Sequence, residues 1–178
     1  MKNFKDYFDN ADLRFFFESH YEDVSEPLKE FIVENDGNMY ETSTSQTLLG
    51  VKKGDKWGWV DSNNMFVIQP IYDNGFVTCY NGVIIMQKHG EWGGIYRKNG
   101  LAAFSFKYKH LSHAYCNTYV ARNALNKCAL VKPGDNMLTE FKFKGFSVYN
   151  NGNVTEYVKA GFFGESKGLI DLETGIEL

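Results

Sequence analysis

The chain is poor in proline and cysteine, with 3 of each in 178 residues. Cys79, Cys116 and Cys128 are an odd number with no Cys-x-x-Cys pair. That pattern excludes a disulfide-stapled miniature fold and a zinc ribbon. It predicts reduced thiols packed as small hydrophobes, as in a cytoplasmic protein. No stretch approaches the ~18 apolar residues of a membrane span. The first residues lack an apolar run of signal-peptide length, so no membrane partner is expected. Net charge is only −3, which argues against bulk nucleic-acid binding. The length predicts one domain, long enough to bury a real core.

Aromatic residues, by contrast, are abundant: 15 Phe, 11 Tyr and 3 Trp. Aromatics fit the pleated, half-buried surface of a strand, so a β-rich fold is expected. A repeat strengthens the expectation. Lys56-Trp57-Gly58-Trp59-Val60-Asp61 recurs 35 residues later as Glu91-Trp92-Gly93-Gly94-Ile95-Tyr96. Pro70-Ile71-Tyr72-Asp73 recurs 36 residues later as Phe106-Lys107-Tyr108-Lys109, and Asn81 matches Asn117 at that offset. A third copy falls on Cys128-Ala129-Leu130-Val131, and a partial fourth on Lys167-Gly168-Leu169-Ile170-Asp171. A fixed period of this size marks a repeat architecture.

Each unit reads as three short strands. The first strands are Leu48 to Lys52, Val83 to Gln87 and Tyr119 to Arg122. Turns at Gly54-Asp55, His89-Gly90 and Leu125-Asn126 lead into the Trp-Gly strands. Second turns follow at Asn63-Asn64, Asn99-Gly100, Gly134-Asp135-Asn136 and Thr174-Gly175. Gly, Asn and Asp recur there because tight hairpins need positive φ. Asp61, Asp73 and Asp171 are expected as turn anchors rather than acids of a reaction. Alternation places Trp57 and Trp59 on one strand face and Gly58 and Val60 on the other. Trp57 and Trp92 are expected to be structural, with the indole lying across bare glycine backbone. Trp59 has no aromatic counterpart at Gly94, which suggests a role of its own.

This grammar resembles the WG-repeat family, also called KWG repeats. Lys-Trp-Gly-Trp-Val-Asp and Ile-Gln-Pro-Ile-Tyr-Asp within residues 56–73 fit its pattern closely, Glu-Trp-Gly-Gly-Ile-Tyr fits well, and the third copy fits poorly. The resemblance covers about three and a half units in residues 48–178. It implies an interaction module and carries over no catalytic residue.

Residues 1–47 lack the repeat. They hold 4 Lys and Arg against 11 Asp and Glu, a balance of −7, whereas residues 48–178 balance to +4. Leu13, Phe16, Phe17, His20, Tyr21 and Val24 follow helical spacing, with Asn10 or Asp12 as the N-cap. Leu28, Phe31 and Ile32 predict a second helix begun at Ser25-Glu26-Pro27 and ended at Asp36-Gly37. A strand from Phe31 to Glu34 with an Asp-Gly hairpin is the alternative. Residues 42–47 read as a linker or an exposed edge. The expected architecture is mainly β: a repeat of three-stranded units in residues 48–178, forming a single structural domain behind an acidic helical cap and linker in residues 1–47. The array is a hairpin stack, either an open solenoid or a closed propeller-like or barrel-like ring. The last half-unit either pairs with the first strands or forms an edge.

Chemistry-bearing patterns are sparse. His110-x-x-His113-x-x-Cys116 is the densest ligand-like cluster, but on a strand a spacing of three sends the imidazoles to opposite faces. Surface imidazoles are expected, with no metal and no cofactor. Gly90-Glu-Trp-Gly-Gly begins a strand rather than a phosphate-binding helix. Basic residues interleaved with aromatics over 107–144 would suit single-stranded nucleic acid, but the acidic segment opposes that. No catalytic residue is expected. The sequence points to a non-catalytic protein-binding module, in its sharper form an immunity-type inhibitor masking a basic toxin or effector. Its partner-binding residues would be Glu18, Glu22, Asp23, Glu26 and Glu30 on the acidic helical face, with Trp59 and Tyr72. The alternatives are a glycan or small-ligand binder using Trp59, Tyr72 and Tyr80, and an unrecognised hydrolase.

Overall fold

The computed structural model describes residues 11–33, 39–41, 48–74, 78–147, 153–161 and 164–178. Asn10, Asp36-Gly37 and residues 42–47 lie outside them. Along the chain, α1 (Ala11–His20) leads into β1 (Asp23–Pro27), β2 (Lys29–Val33) and β3 (Met39–Glu41). The first repeat supplies β4 (Leu49–Lys53), β5 (Lys56–Val60) and β6 (Phe66–Tyr72). The second supplies β7 (Thr78–Tyr80), β8 (Val83–Lys88), β9 (Glu91–Tyr96) and β10 (Ala102–Tyr108). The third supplies β11 (His110–Tyr115), β12 (Thr118–Arg122), β13 (Cys128–Lys132) and β14 (Asn136–Met137). Last come β15 (Phe143–Ser147), β16 (Val154–Gly161) and β17 (Gly164–Asp171).

These strands form three sheets, in the orders β1-β4-β5-β6, β10-β9-β8-β7-β2-β3 and β11-β12-β13-β15-β16-β17, with β14 also on β13. The chain is thus mainly β and built on the repeat. Turn chemistry explains the hairpins. His89 and Gly90 take φ of 54° and 78°, which closes β8 onto β9 with Lys88 opposite Glu91. Gly54 does the same work between β4 and β5 at φ 66°. One alignment shifts: the positive φ of Asn81, 48°, is matched by Cys116 at 45°, so the counterpart of Asn81 is Cys116 rather than Asn117. Asn81 Nδ2 also donates to the Cys116 carbonyl at 2.8 Å, joining the two turns.

The three-stranded unit gains a fourth strand. β7 and β11 pair antiparallel with β8 and β12 ahead of each expected triplet. In the first sheet that place is taken by β1, through Asp23 opposite Lys52 and Val24 opposite Val51. Residues 1–47 therefore contribute more than a helical cap and linker. Where the second helix was expected, the chain forms the end of β1 and then β2, which joins β7 in parallel; β3, beyond that span, pairs with β2 to form the edge of the second sheet. The strand alternative through Phe31 is the form observed, paired antiparallel with β3, while Glu34 and the Asp-Gly turn lie outside the described residues. α1 does cover the first sheet. Its Phe17, 2% exposed, packs with Leu49, Val51 and Val60, while Tyr21 meets Phe66 edge-on. At the other end β17 stays on the third sheet beside β16, and among the described residues no pairing joins the third sheet to the first.

The core lies between successive sheets. Trp57, Trp59 and Tyr72 of the first meet Ile84, Met86 and Ile95 of the second. Phe104 and Tyr108 of the second meet Leu111, Tyr119 and Val131 of the third. Burying about 200 Å² of one indole at ~25 cal/mol per Å² stabilises the fold by roughly 5 kcal/mol, as an upper bound. The repeated glycines admit neighbours rather than the adjacent indole. A Cβ on Gly58 would lie 2.7 Å from the Ile68 carbonyl oxygen and the Pro70 nitrogen, and one on Gly93 would lie 2.8 Å from the Phe106 ring. The Trp59 indole instead covers Gly50, opposite it on β4.

Candidate functional site

The expected partner-binding residues do not form one helical face. Glu18 is exposed on α1. Glu22 follows the helix and accepts the Gly54 N–H at 3.2 Å. Asp23 begins β1 and accepts the Val24 N–H at 2.9 Å. Glu26 lies in β1, with its side chain outside the described part. Glu30 lies in β2 with its side chain 12% exposed, 3.6 Å from the Arg97 guanidinium and accepting from the Cys79 thiol. It belongs to the join between β2 and the second repeat. Trp59 and Tyr72 are corrected more sharply, at 1% and 5% exposed. They pack on one another across 6.2 Å between centroids, so neither can meet a partner or a sugar.

The aspartates work as turn anchors. Asp61 accepts the N–H groups of Asn63 and Met65, each at 2.9 Å. Asp171 accepts those of Glu173 at 2.9 Å and Thr174 at 2.7 Å. Asp73 ties two units together, pairing with Lys56 of its own unit at 2.8 Å and accepting the Gly90 N–H of the next at 2.8 Å. The Lys56 ammonium, then the Gly90 N–H, hold its carboxyl below the ordinary range. Burial pushes the Cys79 thiol up to about 12, which makes it an inert packing group.

The histidines part company. His110 meets Trp92 edge-on, with ring centroids 5.3 Å apart. His113 goes inward rather than to the surface. It stacks on Tyr80 at 4.3 Å and meets Tyr119 edge-on at 5.2 Å. Its Nε2–H donates to the Cys116 carbonyl at 2.9 Å, since a carbonyl can only accept. Burial lowers the His113 pKa and keeps the ring neutral. Among the described residues no group of three His, Cys, Asp or Glu side chains converges as a metal set.

Two surface features remain. The first is the hairpin of β2 and β3, where Ile32, Met39 and Tyr40 are 40%, 55% and 51% exposed. Sequence reasoning read these residues as cap and linker; the strand alternative held the only signal for them. The second is a cleft of about 280 Å³ between the second and third sheets. Tyr80, Ile85 and Trp92 line one side of it, and Leu111, Ser112 and His113 the other. Tyr80 was a ligand candidate in the sequence. Trp92 was expected only as core, and Ser112 carried no signal at all.

The fold and these surfaces define a class: a β-repeat protein of packed sheets with an apolar hairpin at one sheet edge. No family model matches the chain, and no curated protein matches it either. Solved structures do. BamB from Moraxella catarrhalis matches at 9% identity and TM-score 0.45, over 86% of this chain and 49% of that one. The N-terminal domain of Nup159 matches at 14% and 0.45, over 85% and 42%. The WD40 beta propeller domain of Doa1 matches at 13% and 0.37, over 84% and 52%. The chain spans about half the length of these proteins. At such identities and scores none of them transfers a role.

Proposed function

We propose that the chain is a non-catalytic protein-binding module of WG-repeat type, which docks a basic protein partner through its N-terminal segment. The observation that carries this reading is the edge hairpin. Met39 and Tyr40 on β3, the outermost strand of the second sheet, and Ile32 on β2 beside it hold large apolar surface in water. An edge strand with exposed apolar side chains is a template for association, and such side chains serve as anchors in interfaces. Exposed Glu18, Glu22 and Asp23 add the acidic charge that a basic partner would complement. The sharper form of the reading is an immunity-type inhibitor masking a toxin or effector in the cytoplasm. In either form, steering by charge gives fast, salt-sensitive association.

The test is recovery of the partner from the source cell, followed by titration of the purified pair. A basic partner is expected, with affinity falling as salt rises. Met39→Glu with Tyr40→Ala should weaken binding at least tenfold, and reversal of Glu18, Glu22 and Asp23 should slow association. Recovery of no protein, or binding unchanged in both variants, sinks the proposal.

A further inference from the structure

The second repeat departs from the first at one place, and the departure opens a cleft. Trp57 and Trp92 hold the same position in the repeat, each opposite the corner tyrosine of its unit, Tyr72 or Tyr108. Trp57 is 7% exposed, whereas Trp92 is only partly buried and borders the cleft between the second and third sheets. The fold does not need an open indole there, because the first unit buries its own. We propose that this cleft is a binding site for one uncharged saccharide unit. The inference is independent of the hairpin and of any protein partner.

Three properties of the cleft select that chemistry. The first is an aromatic wall. Trp92 and Tyr80 line it; the Tyr80 ring is itself stacked on His113 and on Phe31, so the open aromatic surface is the Trp92 indole. The C–H face of a sugar ring packs on such a surface, as apolar bodies do on aromatic ones. The second is a set of uncharged polar groups. Thr78 and Ser112 bring hydroxyls that both donate and accept. Asn74 accepts the Gln87 N–H through its side-chain oxygen at 2.7 Å, which leaves the amide nitrogen as a donor. His113 spends its Nε2–H on the Cys116 carbonyl, which leaves Nδ1 as an acceptor. Sugar hydroxyls, each both donor and acceptor, suit this mixture. The third is the lack of any charged side chain among the described lining residues. A uronic or sialic acid would lose its hydration there without gaining a counter-charge. The volume, about 280 Å³, lies at the small end of ligand sites and limits the occupant to a single ring or the end of a chain.

The experiment is a screen of the full chain against an array of neutral glycans ending in glucose, galactose, mannose or N-acetylglucosamine. Uronic and sialylated glycans are printed beside them, and adenosine and indole are titrated separately as planar probes. Neutral glycans of one terminal sugar should be retained, with a saturable change in tryptophan emission. Trp92→Ala should weaken binding at least tenfold. The shape-conserving pair Thr78→Val with Ser112→Ala should weaken it as well, with cooperative unfolding intact in both variants. No neutral glycan retained at millimolar sugar would overturn the proposal. So would retention that survives the Thr78 and Ser112 substitutions, preference for the acidic glycans, or saturable binding of adenosine or indole alone.

Discussion

At the scale of the residue, two turns at different places in the repeat unit share one hydrogen-bonding scheme without sharing a residue type. Asp61 and Asn123 close their turns in the same way. Each side-chain oxygen accepts the N–H groups two and four residues on, at 2.9 Å for Asp61 and 3.0 Å for Asn123. Asn64 and Asn126 take φ of 60° and 57° at matching places. The turn needs an acceptor oxygen and not a charge. Asp61→Asn should therefore shift stability by less than about 0.5 kcal/mol. Asp61→Ala, which strips acceptors from two N–H groups, should cost about 1–2 kcal/mol. Denaturant unfolding measures both, and equal losses would show that the charge itself matters. The role of this aspartate was legible because a turn motif is local. The fate of Trp59 was not. Its missing counterpart at Gly94 suggested a private task, but the indole fills the space over Gly50, a contact that only strand register creates.

At the scale of the element, the N-terminal segment shows how a neighbour overrides local pattern. Leu28, Phe31 and Ile32 fit helical spacing, but three residues cannot separate a helix from a short strand. The edges of β4 and β7 present unpaired backbone groups, and β1 and β2 satisfy them. The C-terminal elements are tied by a different device. Glu177 bridges back to Ile170 on β17, pairs with Lys142 at 3.0 Å and with Lys159, and accepts the Tyr157 hydroxyl at 2.9 Å. Lys159, then Lys142 and Tyr157, lower its pKa from 4.5 to about 2. A carboxyl with a depressed folded pKa binds fewer protons folded than unfolded. Its contribution is complete above about pH 4.5 and drains away as pH falls toward about 2. Melting temperature should fall across that window, and Glu177→Gln should flatten that part of the profile. A variant with an unchanged slope would show that the clamp carries no stability.

At the scale of the molecule, the boundary drawn at residue 47 by charge is not a structural one. Leu49, Val51 and Val60 are fully buried, and α1 and β1 cover them. The fragment of residues 48–178 should therefore fail to unfold cooperatively when expressed alone, whereas the full chain should melt in one transition by circular dichroism. A cooperative, native-like fragment would restore the segment to the status of a separable cap. β1 and β2 of the acidic segment pair with strands of the repeat body, and part of the acidic charge is spent inside the molecule, as the Glu30–Arg97 pair shows.

The sequence by itself determined the β repeat, its period, its turns and the residues that anchor them. Each of these depends on contacts within a few residues or on alternation along one strand. Scarce cysteine and the absence of apolar runs were likewise readable, because composition states them outright. Only the tertiary structure decided that β1 completes the first unit, that Tyr72 and Trp59 are core, and that Tyr80, Trp92 and His113 share a cleft. Those facts depend on which sheet lies against which, and packing between residues distant in the chain leaves no periodic trace in it.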